Sequence, residues 1–471
     1  MPGELPLSRS YAGMPVAAAA APKLRPPQRP LAQRSWLGVT AFVLLLAICL
    51  FDLNTVAYNL FGVTQVFSNV ILVLCAVILL IYRLTVFRDL GPSGRIFLGF
   101  VASQLAIGTL VGLSADREML FARWLEVRLI LAMTLLVAAM AVATRNILLA
   151  FGVRFFLRLL FLFSLLIPIA IWASSYYPEF YRVEVGSNFD ASRASGTFAN
   201  PNEAAAATCL VAAIIFSFMV IERSKVLGTV ALCICAYAIF LTASRGGFVV
   251  FAVLALSQIV ISPGFSRFVL FAVGSILIVG ILYGVYNISM VSSTANVSLI
   301  RRMENLSRVA QGEITDETTG GRFQLAINGL NEWANSPLLG NGLGTQRRVG
   351  AANIGPHNQY ISIGGEGGVI PLGLFVATLA SLFWYGWHCQ IPAVRTIALG
   401  CAIVISMVCL MSHSVLASRE INVILGICFG MLSGSMELAR ANSQAPRGVA
   451  QRSRTTPPTG LAGQRPRLKP S

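Results

Sequence analysis

The sequence predicts an all-α polytopic membrane protein of about twelve transmembrane helices with a large loop on its outer face. Hydrophobic residues make up 56% of the 471 residues and charged residues only 11%, whereas soluble domains carry about 25% charged residues. Mean hydropathy is +0.74. The charge-poor segments are about 20 residues long, as transmembrane helices require, and about twice the length of barrel strands. These features exclude a soluble globular enzyme and a largely disordered chain.

Three regions follow one another along the chain. Residues 1–35 are rich in Pro, Ala and basic residues and lack the apolar core of a signal peptide, so we expect a disordered cytoplasmic extension. The membrane domain is expected over 36–437, and a disordered basic cytoplasmic tail over 438–471. The predicted spans within the membrane domain are 37–54, 66–82, 96–113, 127–144, 159–174, 204–221, 226–243, 247–262, 268–287, 367–387, 396–412 and 421–436.

The distribution of charge orients these spans. The net charge is +16, and most basic residues fall in cytoplasmic segments if the N-terminus is cytoplasmic and the spans alternate. Basic residues concentrate on the cytoplasmic side of membrane proteins, so the charge requires no nucleic-acid partner. We expect both termini on the cytoplasmic side. The substantial loops, 175–203 and 288–366, then lie on the outer face.

No metal site and no cofactor is predicted. The nine cysteines lie in or beside apolar segments, without the spacing of a disulfide framework or a zinc site. The chain contains no Asp-x-Asp pair. The acidic pair Asp316-Glu317 in the large loop is the alternative candidate for metal ligands.

The first motif precedes an Ala-rich predicted helix at the end of loop 175–203. Asn200 or Asn202 is expected to cap this helix, with Pro201 in its first turn. Free backbone amides at a helix N-terminus form an anion site, and Arg193 lies just upstream. The alternative is a capped turn at the membrane interface that binds no ligand.

The second motif, Thr-Ala-Ser-Arg-Gly-Gly at 242–247, joins two spans with almost no loop. Its Arg245 either extends to lipid headgroups or faces an anionic ligand, with the glycines allowing close backbone approach. The third motif ends at Arg322 and precedes a helix-like pattern over 320–335. The Gly-rich segment 336–344 that follows lacks the features of a phosphate-binding P-loop and is predicted to be an irregular turn.

The fourth motif contains His357, where the chain approaches the membrane again. Asn358, Tyr360 and Glu366 follow it closely. An imidazole can accept a proton near neutral pH, so His357 is the candidate general base. A structural role is the alternative for His357, and His413 is then the reserve base.

The predicted topology places Arg193, Arg245, Arg322 and His357 on the outer face, although they span much of the sequence. Three guanidinium groups and one potential base suit a diphosphate leaving group and a hydroxyl nucleophile. Arginine can then stabilise the leaving group where a divalent cation would otherwise do so.

The ordered motifs RASGTFANPNEAA, TASRGG, GGR…SPLLGNGLG and PHNQY…EGG resemble the O-antigen ligase and polymerase superfamily of bacterial envelope proteins. The resemblance covers about 190–375 by motif and the whole chain by topology. It implies a twelve-helix, inverting glycosyltransferase in the bacterial inner membrane. On the periplasmic face such an enzyme takes a glycan from an undecaprenyl diphosphate carrier, without nucleotide sugar or metal. It also implies that Arg193, Arg245 and Arg322 bind the diphosphate and that His357 activates the acceptor hydroxyl. Neighbouring polar residues that we expect to support the site are Asn200, Asn202, Asn358, Tyr360 and Glu366.

Two local departures from the family pattern stand out. Leu325 and Ala326 occupy positions where an aromatic residue is common, and Trp333 comes later. Gly364 and Gly365 occupy positions where an apolar pair is usual.

Several functions remain open from the sequence. The favoured function is ligase-like transfer to a lipid A core, another glycan or a protein, and the alternative within the superfamily is a polymerase of O-antigen or exopolysaccharide. A transporter of lipid-linked sugar should keep ionisable residues near the bilayer midplane, where these spans have almost none. A scaffold for envelope assembly would not need Arg and His residues converging on one face. Membrane lipids are expected partners in every case.

Overall fold

The computed structural model describes residues 32–51, 53, 56, 66–82, 89–113, 120–177, 193–198, 200–222, 225–261, 308, 311–312, 322–348, 355–412 and 415–444. Within these ranges there is no strand, which confirms the all-helical prediction for this part of the chain. The helices are α1 (Ala32–Leu50), α2 (Val66–Ile81), α3 (Gly91–Leu113), α4 (Leu120–Ser164), α5 (Leu166–Tyr176), α6 (Pro201–Ile221), α7 (Lys225–Leu241), α8 (Arg245–Ile261), α9 (Arg322–Asn335), α10 (Gln359–Gly367), α11 (Val369–Trp387), α12 (Pro392–Met411) and α13 (Arg419–Gln444).

Where the chain is described, each predicted span is largely helical, although the boundaries differ by several residues. Six helical stretches are long and apolar enough to cross a membrane, and four shorter apolar helices accompany them in the described ranges. The predicted span 268–287 lies outside those ranges, as does most of loop 288–366, so the count of twelve stays a prediction. Helix α13 continues to Gln444, beyond the predicted boundary at 437.

The predicted break between the fourth and fifth spans differs from the structure. Helix α4 runs through this region and is interrupted only at Gly152, whose φ of 84° and ψ of 164° are not helical. Glycine adopts a positive φ without steric cost, so the chain changes direction there without a loop. Arg145, Arg154 and Arg158 interrupt the apolar sequence here, which is why hydropathy predicts two spans separated by a longer connection.

The most deeply buried helices are α6 and α13. Helix α6 is apolar on all sides and packs against α4, α7, α8 and α12, as expected for a helix at the centre of a bundle. Its start carries the Asn-Pro-Asn motif, so the motif is attached to the most buried of the six long apolar helices.

Three glycines allow α13 to pack closely against α4. Gly426, Gly430 and Gly434 are spaced four residues apart and share one face of α13. An added Cβ would lie 2.6 Å from the Val137 carbonyl oxygen at Gly426 and would overlap the Ala141 carbonyl oxygen at Gly430. Small residues at this spacing let helix backbones approach inside membranes, where packing and not solvent exclusion drives association.

We expect Gly430→Val to destabilise the protein by about 1–3 kcal/mol, because the added side chain forces two backbones apart. The measurement is the melting temperature of the purified protein in detergent. Gly373→Val is the matched control, since a Cβ at Gly373 would meet nothing within 4 Å. Equal melting temperatures for the two variants would contradict the close α4–α13 contact.

Ion pairs join several segments at one end of the bundle. Arg145 Nη1 lies 2.9 Å from Asp89 Oδ1, and Arg145 also pairs with Glu437. Arg158 Nε donates to Glu222 at 2.7 Å and holds the pKa of that carboxyl below its usual value. These residues all come from segments predicted to be cytoplasmic. Helix α6 runs from this end of the bundle to the other, where its N-terminus lies.

Candidate active site

A cavity of about 120 Å³ lies at the end of the bundle opposite these ion pairs. It brings together Arg245, Arg322 and His357, which are far apart in the sequence. The N-terminal ends of α6, α8 and α13 open onto it, and the end of α12 closes one side. The lining residues are Asn200, Asn202, Glu203, Ala206, Ala243, Ser244, Arg245, Gly246, Gly247, Val250, Arg322, His357, Val408, Met411, Ser412, Val415, Ser418, Glu420 and Ile421.

The N-terminus of α6 is built by its Asn-Pro-Asn motif. Asn200 is the capping residue, and its side-chain oxygen accepts a hydrogen bond from the Asn202 backbone N–H at 2.8 Å. Pro201 occupies the first helical position, where a missing N–H costs nothing. The two asparagines therefore have separate roles, because Asn200 caps the helix while Asn202 projects its amide toward Arg193.

Arg193 joins two of the motifs. Its Nε donates to the Thr242 carbonyl at 2.8 Å, and its Nη2 donates to Asn202 Oδ1 at 2.9 Å. The adjacent backbone N–H of Ala194 donates to the Leu241 carbonyl at 3.1 Å. Arg193 is not among the residues that line the cavity. It lies behind the lining and ties the start of α6 to the turn between α7 and α8.

We expect the effects of Arg193→Ala and Asn202→Ala on the melting temperature to be coupled, because each variant removes the same hydrogen bond. The double variant should melt little lower than Arg193→Ala alone, with a coupling of about 0.5–3 kcal/mol. Asn146 is the control partner, since its side chain bonds only within α4 among the contacts described. Arg193→Ala and Asn146→Ala should add independently, and additivity in the Asn202 cycle as well would contradict the bond.

Arg245 is held at the cavity by the tight turn before α8. Ser244 caps this helix, since its Oγ accepts from the Gly247 N–H at 3.2 Å. Ala243 has a φ of 48°. A Cβ at Gly247 would lie 2.7 Å from the Ala205 methyl group, so glycine allows α8 to approach α6. Arg245 lines the cavity, as it must if it faces an anionic ligand and does not extend to lipid headgroups.

His357 lies in an equally constrained turn before α10. Its φ is 45°, and its N–H donates to the Gly355 carbonyl at 2.8 Å. His357 and Ala243 are the non-glycine residues with positive φ in the described ranges, and both line the cavity. Such backbone conformations cost of order 1–3 kcal/mol and are concentrated at functional sites.

Helix α10 anchors the turn that carries His357. Asn358 caps it, with its Oδ1 accepting from the N–H groups of Tyr360 and Ile361 at 3.0 and 3.2 Å. The Tyr360 hydroxyl donates to the Ser406 carbonyl at 3.1 Å. Burial raises the pKa of Tyr360 to about 12, so the phenol remains a donor at physiological pH. Asn358 and Tyr360 thus position the turn and are not among the lining residues.

Arg322 is the first residue of α9, and the predicted helix over 320–335 is confirmed from this residue onward. The Gly-rich segment that follows is the irregular turn predicted from the sequence, with positive φ at Gly340, Gly342 and Gly344. Glu366 fixes this turn, because its Oε1 accepts from the Gly344 N–H and its carbonyl accepts from the Gly342 N–H, both at 3.1 Å. Glu366 therefore faces away from the cavity that holds Arg322.

Two carboxylates in the cavity were not predicted. Glu203 lies in the first turn of α6 and Glu420 in the first turn of α13, where a negative charge is stabilised by the helix dipole. Their position just inside a helix N-terminus is the available sequence signal. The lining thus carries two guanidinium groups, two carboxylates and the N-terminal amides of α8. That combination can bind an anion beside Arg245 and Arg322, while the neighbouring carboxylates accept hydrogen bonds from hydroxyl groups of the same ligand.

The alternative site residues lie elsewhere. His413, Asp316 and Glu317 are outside the described residues. Within the described residues, no group of three or more potential metal ligands occurs.

Comparison with protein families gives a match over three of the four motifs. Residues 229–376 match the family model of the O-antigen ligase domain, and this segment contains Arg245, Arg322 and His357. The match confirms the resemblance to the O-antigen ligase and polymerase superfamily and supports an enzyme that is an integral membrane protein. A search of curated proteins gave no match.

Proposed function

We propose that this protein is an inverting glycosyltransferase that moves a glycan from undecaprenyl diphosphate to an acceptor hydroxyl, on the periplasmic face of the bacterial inner membrane. The observation that carries the proposal is the convergence of Arg245, Arg322 and His357 on one cavity. The match to the O-antigen ligase domain over this same segment supports it.

The proposed reaction is a single displacement at the anomeric carbon of the donor sugar. The acceptor hydroxyl oxygen forms a bond to that carbon while the bond from carbon to phosphate oxygen breaks. The electron pair leaves with the diphosphate, and the hydroxyl proton passes to the imidazole of His357. Attack opposite the leaving group inverts the configuration of the anomeric carbon.

The charge that develops on the diphosphate is stabilised by Arg245 and Arg322. A guanidinium group donates two parallel hydrogen bonds to phosphate oxygens, and the amides at the start of α8 add further donors. Arg193 contributes by holding Asn202 and the turn that carries Arg245. In this proposal arginine replaces a divalent cation, and no cofactor takes part.

Ligase-like transfer to a lipid A core or another glycan acceptor is the favoured form of the activity. A polymerase of O-antigen or exopolysaccharide is the alternative, because it uses the same donor chemistry with a growing glycan as acceptor. A transporter of lipid-linked sugar fits less well, because it should keep ionisable residues near the bilayer midplane. The ion pairs and the charged residues of the cavity lie instead at the two ends of the bundle.

Electrophoresis of glycans from a deletion strain distinguishes ligase from polymerase. For a ligase we expect long carrier-linked chains to accumulate, because polymerisation continues while transfer to the final acceptor stops. Complementation with the wild-type gene should restore the transferred product. A ladder collapsed to a single repeat, without long carrier-linked chains, would instead identify a polymerase.

A further inference from the structure

A second cavity, of about 80 Å³, lies on the other side of the segment that carries His357. The polar side chains that line it come from four segments and include Gln104, Glu126, Gln346, Gln359 and Glu366. Phe97, Phe100 and Met133 contribute apolar surface to the lining.

Two amides in this cavity are buried without a partner. Gln346 is 1% exposed and Gln104 is 4% exposed. Within the described part of the chain, both amide atoms of Gln346 and the amide oxygen of Gln104 make no hydrogen bond. Leaving such a group unpaired costs about 1–3 kcal/mol, so native proteins rarely retain one without a role.

Glycines of α10 make room for these amides. A Cβ at Gly365 would overlap the Gln346 amide, and a Cβ at Gly367 would overlap the Gln104 amide oxygen. Gly364 lies under the Trp333 indole, whose Cε2 would be 2.8 Å from an added Cβ. The two departures from the family pattern are therefore coupled, because the glycine pair accommodates Trp333 and Gln346.

Two short segments of the chain separate the two cavities. Val415 lines the first cavity, whereas Leu416 and Ala417 line the second. His357 lines the first, and Gln359, two residues later, lines the second. A group bound in the second cavity therefore lies next to the turn that holds the candidate base.

We propose that the second cavity binds the sugar of the acceptor, with the Gln104 and Gln346 amides contacting its hydroxyl groups. This inference rests on the proposed function. A sugar hydroxyl both donates and accepts, so one hydroxyl can donate to an amide oxygen while it accepts from an amide N–H. A sugar ring carries several hydroxyl groups and can therefore pair with both glutamines. The apolar lining accommodates the C–H face of the ring. Gln346 is then a specificity-determining residue for the acceptor.

The test uses purified full-length protein with two lipid fractions from the deletion strain. The donor fraction contains carrier-linked glycan, and the acceptor fraction is depleted of it. We expect Gln346→Leu to raise the KM for the acceptor fraction by roughly ten-fold, the effect of one or two lost hydrogen bonds. The KM for the donor fraction should stay unchanged. Gly365→Ala displaces the same amide and should act in the same direction.

Gln258→Leu is the matched control. Gln258 is 1% exposed, and among the described contacts its amide is also unpaired, but it lines neither cavity. It should leave both KM values unchanged. An acceptor KM that stays at the wild-type value in both Gln346→Leu and Gly365→Ala, or a rise in the donor KM alone, would overturn the proposal.

Melting temperatures give a readout that does not require transfer. Without ligand, Gln346→Leu should melt at or above the wild-type temperature, because an unpaired buried amide is replaced by an apolar group. The acceptor fraction should stabilise the wild type but not this variant. A lower melting temperature of the ligand-free variant, or equal stabilisation of both proteins, would overturn the acceptor site. If both melting results are as expected but the wild type transfers no glycan, the proposed function is overturned and the acceptor site is not.

Discussion

Replacing His357 by Ala should lower the rate of glycan transfer by about 10²–10⁴-fold, the usual loss when a general base is removed. The protein should still fold and insert, because His357 lies in a turn at the cavity and not in the packed core. The measurement is transferred glycan per amount of membrane-inserted protein.

A second substitution separates the base from the backbone strain. The φ of 45° at His357 disfavours Ala but is tolerated by Asn. His357→Asn therefore keeps the turn and removes the imidazole, and we expect it to be as inactive as His357→Ala. His388→Ala is the control, since this exposed histidine packs against the Trp384 ring in a tilted arrangement outside the cavity. Near-normal transfer by His357→Asn would assign His357 a structural role.

Lysine should fail to replace arginine in the cavity. We expect Arg245→Lys and Arg322→Lys to lower transfer roughly 10²-fold, close to the effect of Ala, because an ammonium group cannot form two parallel bonds to a phosphate. Arg193→Lys should also be harmful for a different reason, since Lys cannot reproduce the paired bonds to Thr242 and Asn202.

A matched arginine outside the site provides the control. Arg395 donates from Nε and Nη2 to a single carbonyl, that of Cys389, and does not line the cavity. Arg395→Lys should retain transfer. Full activity of both Arg245→Lys and Arg322→Lys would contradict a bidentate contact with the diphosphate.

Much of the helical architecture could be predicted because each span carries its own signal. Apolar residues over about 20 positions predict a helix irrespective of its neighbours. Local sequence patterns likewise predict a capped helix after Asn200 and an irregular turn over 336–344. They do not distinguish the roles of Asn200 and Asn202, because asparagine is a good capping residue at either position. The contact of Asn202 with Arg193 depends on how α6 packs against the turn between α7 and α8.

The remaining features depend on tertiary contacts. The family pattern alone makes Gly365 an unexplained departure, whereas the structure shows that the Gln346 amide occupies the space of its missing side chain. Glu420 lies in a segment without a motif, and only folding brings it to the cavity with Arg245. The kink at Gly152 was missed because one glycine inside an apolar stretch hardly changes its hydropathy.

The central claim is that the cavity containing Arg245, Arg322 and His357 transfers glycan from a lipid diphosphate. The most direct measurement reconstitutes the purified protein in vesicles with carrier-linked glycan and the acceptor fraction, in the presence of EDTA. We expect transfer to the acceptor, release of undecaprenyl diphosphate, and inversion at the newly linked anomeric carbon. Movement of intact carrier-linked glycan across the vesicle membrane without transfer, or transfer that stops with EDTA and returns with Mg²⁺ or Mn²⁺, would contradict the account.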